Sequence, residues 1–108
     1  MKDVNHGLGQ PHGDKPPRAP GGGGFSYRKV AEHYLGASAE RHWHARAKVP
    51  WLYDAKAGLM LSYDDPESVR LKAKYARERG LGGVMIWELS EDDGRSSLLE
   101  AVWAGWRQ

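Results

Sequence analysis

Leu81-Gly82-Gly83-Val84-Met85-Ile86-Trp87 decides how this chain folds, because it is a short apolar run with no polar residue in alternation. A strand wetted on one face alternates polar with apolar residues. An unbroken run of this length is instead what a strand covered on both faces looks like, as in parallel sheets flanked by helices. Residues 84–87 are therefore expected to be a buried strand, and one such strand cannot be a whole sheet.

Upstream, Asp64-Asp65-Pro66-Glu67-Ser68 marks a helix start. Asp65 suits the N-cap, Pro66 the first helical position, and Glu67 the positive end of the dipole. The helix should run to about Arg79. Val69, Ala73 and Ala76 share one face, Leu71 and Tyr75 lie beside it, and Gly80 closes the end. Downstream, after the acidic turn Glu91-Asp92-Asp93-Gly94, Ser97 and Glu100 have capping-box spacing ahead of Leu98, Leu99, Val102, Trp103 and Trp106, which predicts a last helix. Helix, buried strand, helix is the repeating unit of α/β folds.

Further upstream, Pro50-Trp51-Leu52-Tyr53 and Leu59-Met60-Leu61-Ser62-Tyr63 are rich in strand formers and flank Asp54-Ala55-Lys56-Ala57-Gly58. This predicts a hairpin with a positive φ at Gly58. On pattern alone, residues 59–63 would pair beside residues 84–87. Val30, Ala31 and Tyr34 have the spacing of one face of a short helix that closes near Gly36. Residues 1–24, with Lys15-Pro16-Pro17 and Gly21-Gly22-Gly23-Gly24, hold too few apolar groups to offset their ordering entropy and read as loop or disorder.

Composition narrows the function classes. With 108 residues and 40% hydrophobic content, the chain has room for one small domain. Cysteine is absent, so no disulfide or thiolate metal site is expected and the redox compartment is undetermined. The formal charge of +2 is nearly balanced. No apolar run approaches the ~20 residues of a membrane span, and Met1-Lys2-Asp3-Val4-Asn5-His6-Gly7 has no signal-peptide core, so neither a membrane partner nor a location is indicated. Arg70, Lys74 and Arg77 share a helical face, but Glu67 and Glu78 dilute them and no aromatic residue interleaves; no nucleic-acid partner is expected. The Gly21 to Gly24 run has neither a preceding strand nor a closing Lys-Ser or Lys-Thr pair, which excludes a phosphate loop. His42-Trp43-His44 offers two imidazoles without a third ligand, so no metal site is expected and surface histidines are the simpler account. No cofactor motif is present.

The run Ser62-Tyr63-Asp64-Asp65-Pro66-Glu67-Ser68, with Lys72 and Tyr75, followed by Gly80-Leu81-Gly82-Gly83-Val84-Met85-Ile86-Trp87-Glu88-Leu89-Ser90, resembles the end of bacterial family 18 glycoside hydrolases, the chitinase family. The resemblance extends through Ala47-Lys48-Val49-Pro50-Trp51-Leu52-Tyr53 and more loosely to Phe25-Ser26-Tyr27 and Asn5-His6-Gly7-Leu8-Gly9-Gln10. It implies an α/β fold: a partial TIM (β/α)8 barrel, comprising its last strand and last two helices, plus the remainder of a small α+β insertion domain. Residues 25–63 would belong to the insertion, residues 64–108 to the end of the barrel, and residues 59–63 would then lie outside the barrel sheet.

The resemblance also implies a substrate and a deficit. Such enzymes hydrolyse β-1,4-linked N-acetylglucosamine polymers with retention, using the substrate's own acetamido oxygen as nucleophile. The acid that protonates the leaving oxygen ends a motif D-x-x-D-x-D-x-E, which this chain does not contain; Glu91-Asp92-Asp93 lacks the spacing. The family's substrate-contacting tyrosine is likewise expected upstream of Met1. No catalytic residue is expected here, and the chain alone is expected to be inactive. What the resemblance carries over is Trp87, as an aromatic floor for a sugar, with Glu88 beside it as a weaker substrate-binding candidate. Read without the resemblance, Trp87 is a core aromatic of a buried strand. The expected partners are chitin or N-acetylglucosamine oligosaccharides and a polypeptide bearing the rest of the barrel. The alternative is a non-catalytic carbohydrate-binding or interaction module that presents Trp43, Trp51 and Trp103.

Overall fold

The structure, a computed structural model, describes residues 5–13, 15 and 17–108. The remaining residues, including most of the stretch examined for a signal peptide, lie outside that description. Among the described residues, three α-helices and one three-stranded antiparallel sheet make an α/β arrangement. No helix of the described residues is long and apolar enough to cross a membrane.

The sheet has the order β1 (Glu40–His44), β2 (Val49–Asp54), β3 (Leu59–Ser62). The central strand carries the burial: Trp51, Leu52, Tyr53 and the side chain-bonded Asp54 are all buried. The β2–β3 hairpin forms as its residues require. Asp54 Oδ1 accepts from the backbone N–H groups of Lys56 and Ala57 at 2.9 and 3.0 Å, and Gly58 adopts φ 62°. β1 was not legible in the sequence, because Glu40-Arg41-His42-Trp43-His44 contains little that favours a strand. It forms by pairing with β2, where His42 lies opposite Trp51 and Glu40 opposite Tyr53.

Before the sheet, α1 (Tyr27–His33) is capped by the Ser26 hydroxyl, which accepts from Lys29 N, and buries Val30 fully. After it, α2 (Pro66–Glu78) begins where the sequence indicated. Asp65 accepts from Ser68 N at 2.9 Å, the Ser68 hydroxyl accepts from Asp65 N at 3.0 Å, and Pro66 opens the helix. Its end is a Schellman turn: Gly80 N donates to Arg77 O and Leu81 N to Ala76 O, with Gly80 at φ 65°.

The last helix, α3 (Ser97–Arg107), packs along α2. They approach tightly at Gly105, where an added Cβ would clash with the carbonyl oxygen of Arg70. The helix starts at the expected residue by a different device. Ser96, at its N-cap, makes no side-chain cap bond; Asp92 accepts from Leu98 N and Leu99 N, and Asp93 accepts from Ser97 N. The acidic turn thus satisfies the orphan amides that the Ser97/Glu100 spacing was expected to serve.

Two expectations fail for one reason. Residues 84–87 form no strand, and residues 81–90 are all exposed; β3 pairs only with β2 and leaves them unpartnered. A strand buried on both faces needs hydrogen-bonded neighbours, and among the described residues no further strand is available to supply them.

Candidate functional site

Residues 84–87 run between the end of α2 and a short 3-10 turn, Leu89–Glu91, that leads to α3. Their exposure alternates: Val84 41%, Met85 82%, Ile86 41%, Trp87 84%. Period two is the signature of strand geometry, here without partners. Val84 and Ile86 are the more covered pair; Met85 and Trp87 are on the open side. Val69 and Ala73 of α2 and Leu98 and Val102 of α3 join Val84 and Ile86 around a cavity of about 540 Å³. That size suits a small ligand, but this lining is the apolar layer that helices present to a strand.

Of the two expected substrate-binding residues, Trp87 presents a largely free indole, which excludes a core role among the described residues. Glu88 is exposed beside it and accepts a hydrogen bond from the Ser90 hydroxyl. The Trp87–Glu88 peptide is cis.

The motif residues before α2 hold structure. Asp64 accepts from Lys72 Nζ through both oxygens at 2.7 Å and from the Ser68 hydroxyl at 2.8 Å. Arg41 of β1 reaches Asp65 Oδ2 at 2.6 Å and Glu67 Oε2 at 2.8 Å, tying the sheet to the helix start. Burial works against the Arg41 charge, but the hydrogen bond and charge of Asp65, helped by Glu67, more than offset it and raise its pKa. Tyr63, on the cavity wall, is pushed up to about 12 by burial and then by the nearby Asp65 charge, against the opposing pull of Arg41; its hydroxyl is buried without a hydrogen-bond partner among the described residues. Asp93 is held below the usual carboxylate range by the Ser97 hydroxyl and the Ser97 backbone N–H. The acidic turn is therefore spent on capping α3 rather than on proton transfer.

The basic face of α2 is also engaged: Arg70 bonds Gln108, Arg77 bonds the Trp106 carbonyl, and Lys74 lies 3.8 Å from Glu78. Of the aromatics that a sugar-binding module would present, Trp51 is buried, Trp43 is partly covered with Arg41 over its ring, and Trp103 is exposed with Arg107 over its ring.

The sequence missed one cluster. His6, Glu40 and His42 each bring a ligand-type atom within 4.8 Å of the others. Glu40 and His42 are alternate residues of β1, a signal available once β1 is known, but nothing local in the sequence joins His6 to them. His44 does not belong to the cluster; its Nδ1 accepts from Ala47 N at 3.0 Å.

Comparison with known proteins bears on the 84–87 segment and its surroundings. Residues 3–92 match Glycosyl hydrolases family 18. The chain belongs to glycosyl hydrolase family 18. It is 41% identical over 90 residues to Chitinase B of Serratia marcescens, covering 82% of this chain and 17% of that protein. It is also 41% identical over 75 residues to Chitinase A1 of Niallia circulans, covering 68% of this chain and 11% of that one. Among solved structures, chitinase ChiW from Paenibacillus sp. str. FPU-7 superposes with a TM-score of 0.83 at 37% identity, over 98% of this chain and 12% of that chain. This member of family 18 thus spans less than a fifth of the length of these relatives.

Proposed function

We propose that these residues are the closing part of a chitin-hydrolysing barrel. In this reading residues 84–87 are its last strand, residues 64–108 complete the barrel with α2 and α3, and residues 25–63 are the remainder of an α+β insertion. The single observation that carries the reading is the free indole of Trp87, on the open side of an unpartnered strand-like segment, in a chain of this family. TIM-barrel sites are built at the C-terminal ends of the strands, and Trp87 is the last residue of this one.

The reaction is hydrolysis of β-1,4 bonds between N-acetylglucosamine units, with the acetamido oxygen as nucleophile and the proton donated by an acid outside these residues. Trp87 contributes binding. A sugar ring has an apolar face of C–H groups that a broad indole covers, while polar groups such as Glu88 orient the substituents. Residues 84–87, unpaired on both edges, require strands from a longer polypeptide or a partner chain to become part of a site.

The test is Trp87→Ala in a longer polypeptide that includes the acidic motif. Sugar binding should weaken and turnover slow by about tenfold, the scale of one lost aromatic platform, with the acid's pH dependence retained. Unchanged kinetics would remove the assigned role.

A further inference from the structure

We propose that His6, Glu40 and His42 form a binding site for a divalent transition-metal ion such as zinc. This does not rest on the glycosidase reading, since the cluster shares no residue with the 84–87 segment or its cavity.

The fold sets Glu40 and His42 side by side and seats the turn that carries His6. Glu40 and His42 are alternate residues of β1 and so project from the same face of the sheet. Trp51, opposite His42 in the register, stacks on its ring at 5.2 Å and donates its indole N–H to the His6 carbonyl at 3.1 Å. That bond fixes the 3-10 turn Asn5–Gly7 over the sheet, and the His6 ring lies 3.9 Å from the His42 ring.

The spacing suits an ion. Ligands about 2.0–2.1 Å from a tetrahedral centre lie about 3.3 Å from one another. Glu40 Oε2 and His42 Nε2 are 3.5 Å apart, and the full set lies within 4.8 Å. Nε2 of His42 is buried and makes no hydrogen bond among the described residues; in the Nδ1-protonated tautomer its lone pair can take an ion. Two imidazoles and a carboxylate favour zinc, nickel or copper over magnesium or calcium. Loading turns the His6 ring edge-on to the ion and off its stack with His42. Glu40 and His6 are exposed, which leaves the remaining coordination position to water. The ion would clamp the N-terminal turn to β1.

The experiment is a titration of the 108-residue chain with zinc chloride at neutral pH, followed by calorimetry and by the imidazole NMR signals of its five histidines. One equivalent should bind, shifting the His6 and His42 signals and leaving His12 and His33 in place; magnesium chloride should shift none. Because even an outer partner of a metal ligand is worth 10–100-fold in affinity, losing a ligand in His42→Ala or His6→Ala should weaken binding by at least about tenfold. Glu40→Gln, at an exposed position that leaves the sheet packing alone, should weaken it as well, and His44→Ala should not. Absence of saturable zinc binding, or binding that survives both His42→Ala and Glu40→Gln, overturns the site.

Discussion

Arg41 of β1 places Nη2 2.6 Å from Oδ2 of Asp65, while the other oxygen of Asp65 caps the first turn of α2 by accepting from Ser68 N. One carboxylate thus joins the sheet to the helix and begins the helix. The two roles separate by substitution. Asp65→Ala should lower stability by about 1–2 kcal/mol through loss of the cap. Asp65→Asn keeps a capping oxygen and should lose less, because it gives up only the ion pair, whose Arg41 partner is part-exposed. Urea unfolding of both variants checks the order; equal losses would assign the effect to the ion pair.

Gly105→Ala sets propensity against packing. Alanine gains about 1 kcal/mol in a helix interior. Its Cβ would clash with the Arg70 carbonyl oxygen, which forces α2 and α3 apart, and overpacking of this kind costs about 1–3 kcal/mol. Net destabilisation is expected in a thermal melt; a stabilised variant would mean that the helices do not approach at this point.

At the start of α3, Asp92→Ala should cost about 1–2 kcal/mol by orphaning Leu98 N and Leu99 N, whereas Glu100→Ala should stay within about 0.5 kcal/mol. The reverse order, in chemical denaturation, would restore the Ser97/Glu100 capping box.

Two titrations have opposite signs. The folded-state pKa of Asp93 is depressed, so its contribution is present above the unfolded value of about 4 and is lost as pH falls through the folded one. That of Tyr63 is raised to about 12, so stability is intact below about pH 10 and declines as pH rises from there. Melting temperatures from pH 2 to 12 should fall at both ends. Asp93→Asn should flatten the acid limb and Tyr63→Phe the alkaline limb. Tyr63→Phe should cost little at neutral pH, because its hydroxyl has no hydrogen-bond partner among the described residues.

Local signals identified the elements that local physics determines. Asp65, Pro66 and Gly80 bounded α2, and Asp54 and Gly58 formed the hairpin turn, because caps and turns depend on residues a few positions apart. β1 was not readable, since its strand state comes from pairing with β2. The apolar run at residues 84–87 was readable as strand-like, and its alternating exposure agrees, but pairing is a property of neighbours. For the same reason Trp87 stood out by resemblance alone, and His6 could not be joined to Glu40 and His42 without the sheet and the Trp51 bond that seats the turn.

The central claim is that residues 84–87 carry strand amides whose partners come from other parts of a family 18 barrel. Hydrogen exchange at Val84, Met85 and Ile86 measures this directly. In the 108-residue chain these amides should exchange nearly as fast as in an unstructured peptide, and they should become protected in a longer polypeptide that supplies the rest of the barrel. Strong protection of the same amides in a monodisperse, monomeric sample of the 108 residues alone would contradict it.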